Sequence, residues 1–502
     1  MTQRQHSLLG ASLILSLALL FGRLAGFARE ILLASFLGLS AQADIAIVLL
    51  TIPDLLVNLL LSGGIGVALI PALRQADPDQ AAALYMQACL IIVSIFLCFA
   101  TFFILAPYVW LWLLAPGIAG SSAWLESWMV YAVAAAIPLT ALSGVSSAAL
   151  NAMDRFFIAG CGTLIFNICV IAGLFIAILW QGNQIGWLCV GILFGALLRS
   201  LSQVLALRPI RSASSRQAAR EWLIERDLVK AFLAGLASVS LLILVPVVLR
   251  ACASVLGEGE LAAFNYAIKL VELPLGILIT SLATVAFPRL SGAYDRQDVA
   301  LFSKVLHLSL ERSLVLSLIV VLSGLPFIGA AVFCLFGVGR VGDSDLDHIA
   351  SLTQIALLSV PLVGISSLAA AALNARRQAD VVMRRTLLSI MFLPLLCLPG
   401  VLRAEPTLLM WSLPSFHLIH AFGLASALGF SHFKLSRVGV VRVIRTIASA
   451  AFLILSSVLI DTYVLKVNGG SWRYLEFLRL LFGGATFVGV VMLSLSILRS
   501  VK

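Results

Sequence analysis

The stretch IPLTALSGVSSAALNA at residues 137–152 recurs as VPLVGISSLAAAALNA at residues 360–375, without a gap and 223 positions further along the chain. Both copies are rich in small residues and keep a proline at their second position. Self-similarity of this kind indicates that a chain is built from two related halves. The repeat therefore decides the architecture that we expect.

A second, weaker match agrees with the first. TIPDLL at residues 51–56 pairs with ELPLGI at residues 272–277. Each of these segments is followed by a further proline, Pro71 in the first half and Pro288 in the second. Two matched segments in the same order support a duplication of a whole bundle rather than of one helix.

The composition indicates whether this protein folds in water or in a lipid bilayer. Of its 502 residues, 61% are hydrophobic and 11% are charged, and the mean hydropathy is +1.10. A water-soluble globule of this composition would expose far too much apolar surface. Apolar runs of about 20 residues recur along the whole chain, and each is sufficient for one membrane-spanning helix. Because strands of a barrel would give short alternating segments instead, we predict an all-α polytopic membrane protein.

Hydropathy predicts about 14 transmembrane helices. They lie near residues 7–37, 41–72, 82–106, 128–150, 156–180, 185–207, 228–254, 260–290, 302–328, 347–373, 380–402, 407–430, 446–465 and 477–498. The repeat maps the fourth span onto the tenth, so the two copies have the same orientation and the repeat is parallel.

The simplest organisation is two six-helix lobes followed by two additional helices. We expect an N-terminal lobe at residues 1–207, a basic cytoplasmic linker at 208–227, a C-terminal lobe at 228–430 and the two additional transmembrane helices at 431–502. Two repeated lobes provide a natural cavity at their interface, and rocking of one lobe against the other gives alternating access. This organisation points to transport.

The distribution of Lys and Arg predicts the orientation in the membrane. Connections after even-numbered spans hold most of the cations, as cytoplasmic loops do. The acidic segment GDSDLD at residues 342–347 follows an odd-numbered span. We therefore expect an inner-membrane protein with both termini in the cytoplasm, in which the N-terminal apolar stretch is an uncleaved first span.

Several other functions are excluded by the same features. The formal charge of +10 is spread between apolar runs, so it does not form the basic face that nucleic acid requires. The eight cysteines show neither a CxxC pair nor metal-ligand spacing, so no metal or cofactor is expected. No nucleotide-binding motif is present, and the longest loop lacks the paired carboxylates of a glycosyltransferase. We expect no enzyme and no catalytic residues.

Charged residues inside the first span raise a functional question, because such residues normally face a cavity. Arg23 and Glu30 lie seven positions apart and share a stripe of the helix, so Glu30 is predicted to neutralise Arg23. Arg29 then points elsewhere, towards the space left by Gly22 and Gly26. A cationic ligand site is one interpretation. The other is that the arginines snorkel to the interface or bridge helices.

Four further ionisable residues in or near the spans are candidates for a functional role. Asp44 begins the second span, where a carboxylate favours the helix N-terminus. Asp54 follows Pro53, where a loosened backbone often lines a cavity, and is a candidate for ion coupling. Lys269 and Glu272 are spaced for an intrahelical ion pair, and Lys269 is also a candidate to meet a ligand.

Three segments carry a family likeness. The chain at 22–73, together with AALNAMDRF at 148–156 and the segment at 264–291, resembles the MurJ/MviN family of lipid II flippases. The resemblance spans nearly the whole chain. It implies two six-helix lobes, a hydrophobic groove formed by the last two helices, and an inner-membrane carrier of undecaprenyl-diphosphate-linked saccharide for cell-wall synthesis.

The resemblance also implies roles for individual residues. Arg23 and Arg29 match the two span 1 arginines of the family's central cationic cavity, and Asp44 matches its outer-side aspartate. Lys269 stands where the family has an arginine, and Glu272 matches the glutamate that follows. The implied substrate-binding residues are thus Arg23, Arg29, Lys269 and Asp44, with coupling or supporting roles for Glu30, Asp54 and Glu272.

Two other positions depart from the family. Val57 replaces an arginine of the second span and Ser62 replaces a glutamate. The ammonium group of Lys269 keeps the positive charge but lacks the planar fork that suits bidentate phosphate contact. The alternatives that remain are a carrier of a different polyprenyl-linked glycan and a cation-coupled exporter of drugs or other polysaccharide lipids with the same fold.

The expected partners follow from the resemblance. They are a polyprenyl-diphosphate-linked glycan as substrate, the surrounding membrane lipid, and enzymes of cell-wall synthesis. We expect a monomer that requires no cofactor and does not bind nucleic acid. A non-transporting scaffold for wall enzymes is a further alternative, for which the loss of an arginine at Val57 is the only indication.

Overall fold

The computed structural model describes residues 2–58, 65–118, 126–180, 183–207, 222–276 and 280–429, together with 439–441, 443–448, 451 and 455. Every regular element in these ranges is helical. Within them, eight helical stretches are long and apolar enough to cross a membrane. The predicted all-helical class is therefore confirmed. The count of fourteen spans stays a prediction, since the last two lie almost entirely outside the described residues.

The chain divides into two compact units. Unit 1 comprises Met1–Val247 and Gly257–Leu261, and unit 2 comprises Val248–Leu256 and Ala262–Lys502. The helices of unit 1 are α1 (Thr2–Leu37), α2 (Ala41–Asn58), α3 (Ile65–Gln75), α4 (Pro78–Leu105), α5 (Pro107–Leu114), α6 (Ser127–Ala152), α7 (Phe156–Leu179), α8 (Gln184–Ala206) and most of α9 (Arg226–Ser254). The lobes and linker predicted from the sequence stay a prediction.

Unit 1 is organised around α6, which contains the first copy of the repeat. Helices α2, α3, α4, α7 and α8 all pack against it. Its small residues are buried from Ala141 to Leu150, apart from a half-buried Leu142. Because small side chains let helix backbones approach closely, one helix can contact five neighbours. Ser146 adds a buried hydrogen bond of 2.9 Å to Tyr85 on α4.

Helices α7 and α8 approach each other through glycines. A Cβ atom placed on Gly173 of α7 would lie 2.5 Å from the backbone oxygen of Trp187, and one on Gly191 of α8 would lie 2.9 Å from that of Cys169. Such distances leave no room for a side chain. The glycines therefore set the separation of the two helices.

Unit 2 repeats this organisation around the second copy. Its helices are most of α10 (Glu260–Pro274), then α11 (Thr280–Asp295), α12 (Val299–Gly324), α13 (Ile328–Phe336), α14 (Asp343–Leu357), α15 (Ser359–Ala375), α16 (Ala379–Met391), α17 (Leu393–Arg403), α18 (Pro406–Met410) and α19 (Ser412–Leu428). The central helix is α15, against which α11, α12, α16 and α19 pack.

The two copies end in the same backbone corner. Asp154, after α6, and Arg377, after α15, both adopt a left-handed conformation, with φ of 59° and 61°. In each corner the next residue donates its N–H to a carbonyl of the preceding helix, at 2.8 Å to Leu150 and 3.0 Å to Leu373. These positions are related by the same 223-residue shift as the sequence repeat. The duplication is thus present in the fold.

The corners also carry matching ion pairs with the charges exchanged. Asp154 accepts a hydrogen bond of 2.6 Å from Arg74 of α3. In unit 2, Arg377 donates one of 3.2 Å to Asp295 of α11. Both pairs are exposed, so each contributes little to stability. Within each unit, the corner after the repeated helix thus pairs with the end of an equivalent helix, although the residue types differ between the two units.

Several predicted spans contain two of the described helices. The span predicted at 41–72 contains α2 and α3, and the one predicted at 260–290 contains α10 and α11. Helix α5 was not predicted at all. Its sequence, PYVWLWLL, is too short to cross a membrane, so the hydropathy pattern gave no reason to separate it from its neighbours.

Replacing Gly173 with alanine is expected to lower the free energy of unfolding by about 1–3 kcal/mol, because the added Cβ atom overpacks the contact between α7 and α8. Gly292→Ala is the matched control on α11, where no described atom lies within 4 Å of the added Cβ. It should be neutral or slightly stabilising. Thermal unfolding of the purified full-length protein in detergent measures both. Equal effects would contradict the close packing of α7 on α8.

Candidate functional site

A buried ionic cluster lies in unit 1 around Arg29. Arg29 and Glu30 are only 4% and 3% exposed. The guanidinium donates from Nη2 to Glu30 Oε1 at 2.8 Å and to Asp54 Oδ2 at 3.0 Å, and from Nη1 to Asn167 Oδ1 at 3.0 Å. Helices α1, α2 and α7 thus meet at one charge. Asp54 is the accessible member, since its side chain is 42% exposed.

One sequence prediction about this cluster was wrong. Glu30 was expected to neutralise Arg23 while Arg29 pointed elsewhere, but Glu30 pairs with Arg29 instead. The physical reason is the length of the arginine side chain, whose terminal Nη2 reaches the carboxylate of the next residue at 2.8 Å. A spacing rule based on Cβ directions does not account for this reach.

Asn167 was missed by the sequence analysis. Besides accepting from Arg29, it donates from Nδ2 to the carbonyl of Thr163 at 3.0 Å and to that of Gly22 at 3.3 Å. A Cβ atom on Gly26 would lie 3.4 Å from the same nitrogen. The space beside Gly22 and Gly26 is therefore filled by α7. The sequence feature that could have identified Asn167 was its amide side chain within the apolar run of α7.

Two further polar residues on α8 were also missed. Arg199 is 3% exposed and interacts electrostatically with Asp54. Gln203, one turn later, accepts a hydrogen bond of 2.8 Å from Ser143 of α6. Both pack over Gly162, where an added Cβ would lie 2.5 Å from Gln203 Nε2 and 3.0 Å from Arg199 Nε. The sequence signal was an arginine inside a predicted span.

Arg23 lies apart from the cluster. It precedes Arg29 by six residues on α1, which corresponds to roughly 9 Å along the helix axis. Its side chain is exposed, and no ion pair joins it to any residue within the described ranges. Arg23 is thus an accessible cation, whereas Arg29 is a buried and neutralised one.

Asp44 occupies a different place, near the start of α2. Its carboxylate is 1% exposed and accepts a hydrogen bond of 2.8 Å from the backbone N–H of Gly259. Gly259 has a φ of +83°, and a Cβ there would lie 2.6 Å from the backbone of Leu39. The structure therefore gives Asp44 an anchoring role for the loop before α10. Substrate contact by Asp44 stays a prediction.

Lys269 and Glu272 lie on α10 in unit 2. Lys269 Nζ donates to Glu272 Oε2 at 2.8 Å, and both side chains are partly exposed. The intrahelical ion pair predicted from their spacing is confirmed. Val57 and Ser62 are the two positions that depart from the family. Ser62 and the side chain of Val57 lie outside the described residues.

Unit 1 also contains an apolar cavity of about 590 Å³. Helices α2–α6, the start of α9 and the segment before it line it, with Leu55, Phe96, Phe99, Trp110 and Phe232 among the lining residues. None of the predicted site residues lines it. Its chemistry suits hydrocarbon rather than a charged head group.

The architecture and the charges together define a class of protein. Two repeated helical bundles with buried ionisable side chains inside apolar helices are typical of secondary transporters. A protein-family model described as "Lipid II flippase MurJ" matches residues 33–483. The chain belongs to the MurJ lipid II flippase family, as the resemblance predicted. The matched range begins just after Arg29 and Glu30.

Curated relatives agree with this assignment. The chain is 26% identical over 349 residues to a probable lipid II flippase MurJ of Treponema pallidum, covering 67% of this chain and 64% of the relative. It is 27% identical over 380 residues to the lipid II flippase MurJ of Burkholderia cenocepacia, covering 69% of each.

Solved structures show the same fold. A lipid II flippase MurJ in an inward closed conformation matches with a TM-score of 0.80 and 17% identity, covering 96% of this chain and 98% of that one. A multidrug resistance MATE transporter of the MOP superfamily matches with a TM-score of 0.67 and 17% identity, covering 83% and 98%.

Asn167→Leu is expected to destabilise unit 1 by about 2–3 kcal/mol, because it leaves the buried Nη1 of Arg29 without its acceptor. Asn167→Gln is the comparison variant, since it keeps an amide oxygen to accept from Arg29 and an amide nitrogen to donate to the carbonyls of Gly22 and Thr163, and it should cost less. Thermal unfolding of the purified protein reports the difference. An Asn167→Leu variant as stable as wild type would show that the contact with Arg29 contributes nothing.

Gly259→Ala is expected to cost about 1–3 kcal/mol of stability, because alanine is strained at a positive φ and its Cβ collides with Leu39. Gly257→Ala, two residues away, is the control: its added Cβ has only a 3.9 Å contact with Glu260 and should change little. If both variants unfold at the same temperature, the tight loop around Asp44 is not needed for stability.

Proposed function

We propose that this protein is a flippase that moves an undecaprenyl-diphosphate-linked saccharide, a lipid II-like peptidoglycan precursor, from the inner to the outer leaflet by alternating access. The observation that carries the proposal is the ionic cluster around Arg29 in a chain of the MurJ family. A transport protein needs no catalytic residues, and a charged head group needs charged partners inside the bilayer.

The predicted site residues divide into two kinds in this proposal. Arg23 and Lys269 are accessible cations that attract the diphosphate, and electrostatic attraction is strong where water is scarce. Arg29, which Glu30 and Asp54 hold in place before the substrate arrives, binds the diphosphate next. The fork of its guanidinium suits phosphate oxygens, which makes Arg29 the main determinant of affinity.

The membrane potential can supply the driving force for outward transport of such a substrate. Moving a negative charge outward across an inside-negative membrane is downhill by about 2.3 kcal/mol per charge per 100 mV. A diphosphate carries more than one negative charge. The proposed cycle therefore runs without ATP, and Asp54 is a candidate for additional ion coupling.

The protein resides in the bacterial cytoplasmic membrane with both termini in the cytoplasm, as the Lys and Arg distribution predicts. It acts as a monomer. Enzymes that make or consume the lipid-linked precursor are its proposed partners, and the polyprenyl tail stays in lipid or in apolar cavities during transport.

The proposal is tested by lipid-linked glycan translocation in cells depleted of their own flippase. Wild type should restore translocation, and Arg29→Ala should reduce it by about tenfold or more, because the phosphate oxygens lose a charged hydrogen-bond donor. The matched control is Arg296→Gln, an exposed arginine after α11, which should retain wild-type activity. All variants are compared at equal membrane abundance.

Two outcomes would contradict the proposal. If the wild-type protein moves no polyprenyl-linked substrate, the flippase function is rejected. Full activity of Arg29→Ala rejects the assigned site. In the first case, efflux of a cationic drug that is lost in Asp54→Asn but retained in Arg23→Ala supports the alternative of a cation-coupled exporter.

A further inference from the structure

Arg199 is a buried charge whose hydrogen-bond donors are not all satisfied. It lies in α8, and its Nε and Nη2 have no hydrogen-bond partner among the described residues. A guanidinium taken out of water normally retains a carboxylate or carbonyl partner, because an unsatisfied buried charge is strongly unfavourable. A residue in this condition is expected to gain a partner in another state of the protein.

The repeat shows that the fold itself does not require this arginine. The 223-residue shift that relates α6 to α15 places Phe422 of α19 at the position of Arg199, and Ile390 of α16 at the position of Asn167. Unit 2 therefore forms the corresponding helices with apolar side chains. The buried charge in unit 1 needs an explanation other than folding.

Asp54 is the group that can become the partner of Arg199. The helix that carries Asp54, α2, packs directly against α8, and the negative charge of Asp54 lies near enough to attract the Arg199 guanidinium. The Asp54 side chain is 42% exposed, and its bond to Arg29 uses Oδ2 at 3.0 Å. A short, partly exposed side chain can change partners without moving the backbone.

Arg29 does not depend on Asp54 alone. It keeps Glu30 and Asn167 as acceptors when Asp54 leaves. An anion that reaches Arg29 would, however, lie close to the Asp54 carboxylate, and like charges at short distance repel. Transfer of Asp54 to Arg199 removes this repulsion and supplies an acceptor for the unsatisfied donors of Arg199.

We propose that Arg199 is a positioning residue of the anion site: when the diphosphate of the substrate binds Arg29, the Asp54 carboxylate exchanges from Arg29 to Arg199. The ligand class is a phosphate or diphosphate group, and this inference rests on the proposed function. Gly162 keeps the space that Arg199 occupies, since an added Cβ there would lie 3.0 Å from Arg199 Nε.

The test is a double-mutant cycle on binding of inorganic pyrophosphate to the purified full-length protein, measured by calorimetric titration. Arg199→Gln should weaken binding about tenfold, because Asp54 then stays beside the bound anion. Asp54→Asn should not weaken binding, and adding Arg199→Gln to it should change affinity by less than about twofold. Arg74→Gln removes an exposed arginine of unit 1 and serves as the control.

The cycle separates positioning from a structural role. If Arg199 were merely structural, its replacement would lower affinity equally in the wild-type and in the Asp54→Asn background, and such additivity would overturn the inference. Absence of pyrophosphate binding to wild type would overturn it as well. Arg199→Lys, which keeps the charge but not the fork, should restore part of the lost affinity.

A second variant keeps the test valid if Arg199→Gln does not fold. Gly162→Ala displaces the side chains of Gln203 and Arg199, which lie 2.5 Å and 3.0 Å from the added Cβ, without removing the charge of Arg199. Its effect on pyrophosphate affinity must also disappear in the Asp54→Asn background. The proposed function is judged separately by translocation. If wild type binds pyrophosphate with the expected non-additivity but moves no polyprenyl-linked substrate, the exchange stands and the flippase function fails.

Discussion

Neutralising one buried guanidinium is the constraint on which the organisation of unit 1 depends. Arg29 sits among apolar helices, where an uncompensated charge is very unfavourable. Glu30 is supplied by the same helix, but Asp54 comes from α2 and Asn167 from α7. Satisfying a single side chain therefore brings three helices into one arrangement. A Cβ atom on Gly22 would lie 3.3 Å from Thr163 of α7, so a small residue of α1 favours the close approach of these two helices.

The helical class and the duplication could be predicted because both are local properties of the sequence. In lipid, backbone polar groups must be satisfied within each segment, so apolar runs of sufficient length become helices. The match between 137–152 and 360–375 survives in the structure down to the hydrogen bonds of the corner that follows each copy. Arg29 could be singled out for the same reason, since a charge in an apolar run is visible without a structure.

The partners of Arg29 could not be predicted, because they depend on tertiary packing. Helical spacing suggested Arg23 for Glu30, but the flexible stem of Arg29 reaches its neighbour instead. Asn167 lies more than a hundred residues from Arg29 in sequence, and Arg199 lies equally far from Asp54; both are on helices whose rotation no periodicity fixes. Their counterparts in unit 2, Ile390 and Phe422, show that the backbone was duplicated and the polar chemistry was not.

The state of Arg29 has a consequence for how a carrier of this kind holds an anion. Both Nη atoms already donate to protein acceptors, while Nε has no hydrogen-bond partner among the described residues, so a phosphate that binds the two Nη atoms competes with those acceptors. Glu30 is almost fully buried and Asp54 is not, which makes Asp54 the replaceable one. The protein carboxylate competes with the substrate phosphate for Arg29. The net binding free energy of the substrate is therefore the small difference between two strong attractions, that of Arg29 to the phosphate and that of Arg29 to the carboxylate. A ligand shifts a conformational equilibrium only by its differential affinity for the two states. A carboxylate that returns to Arg29 therefore lowers the barrier to release, which a carrier needs as much as it needs binding.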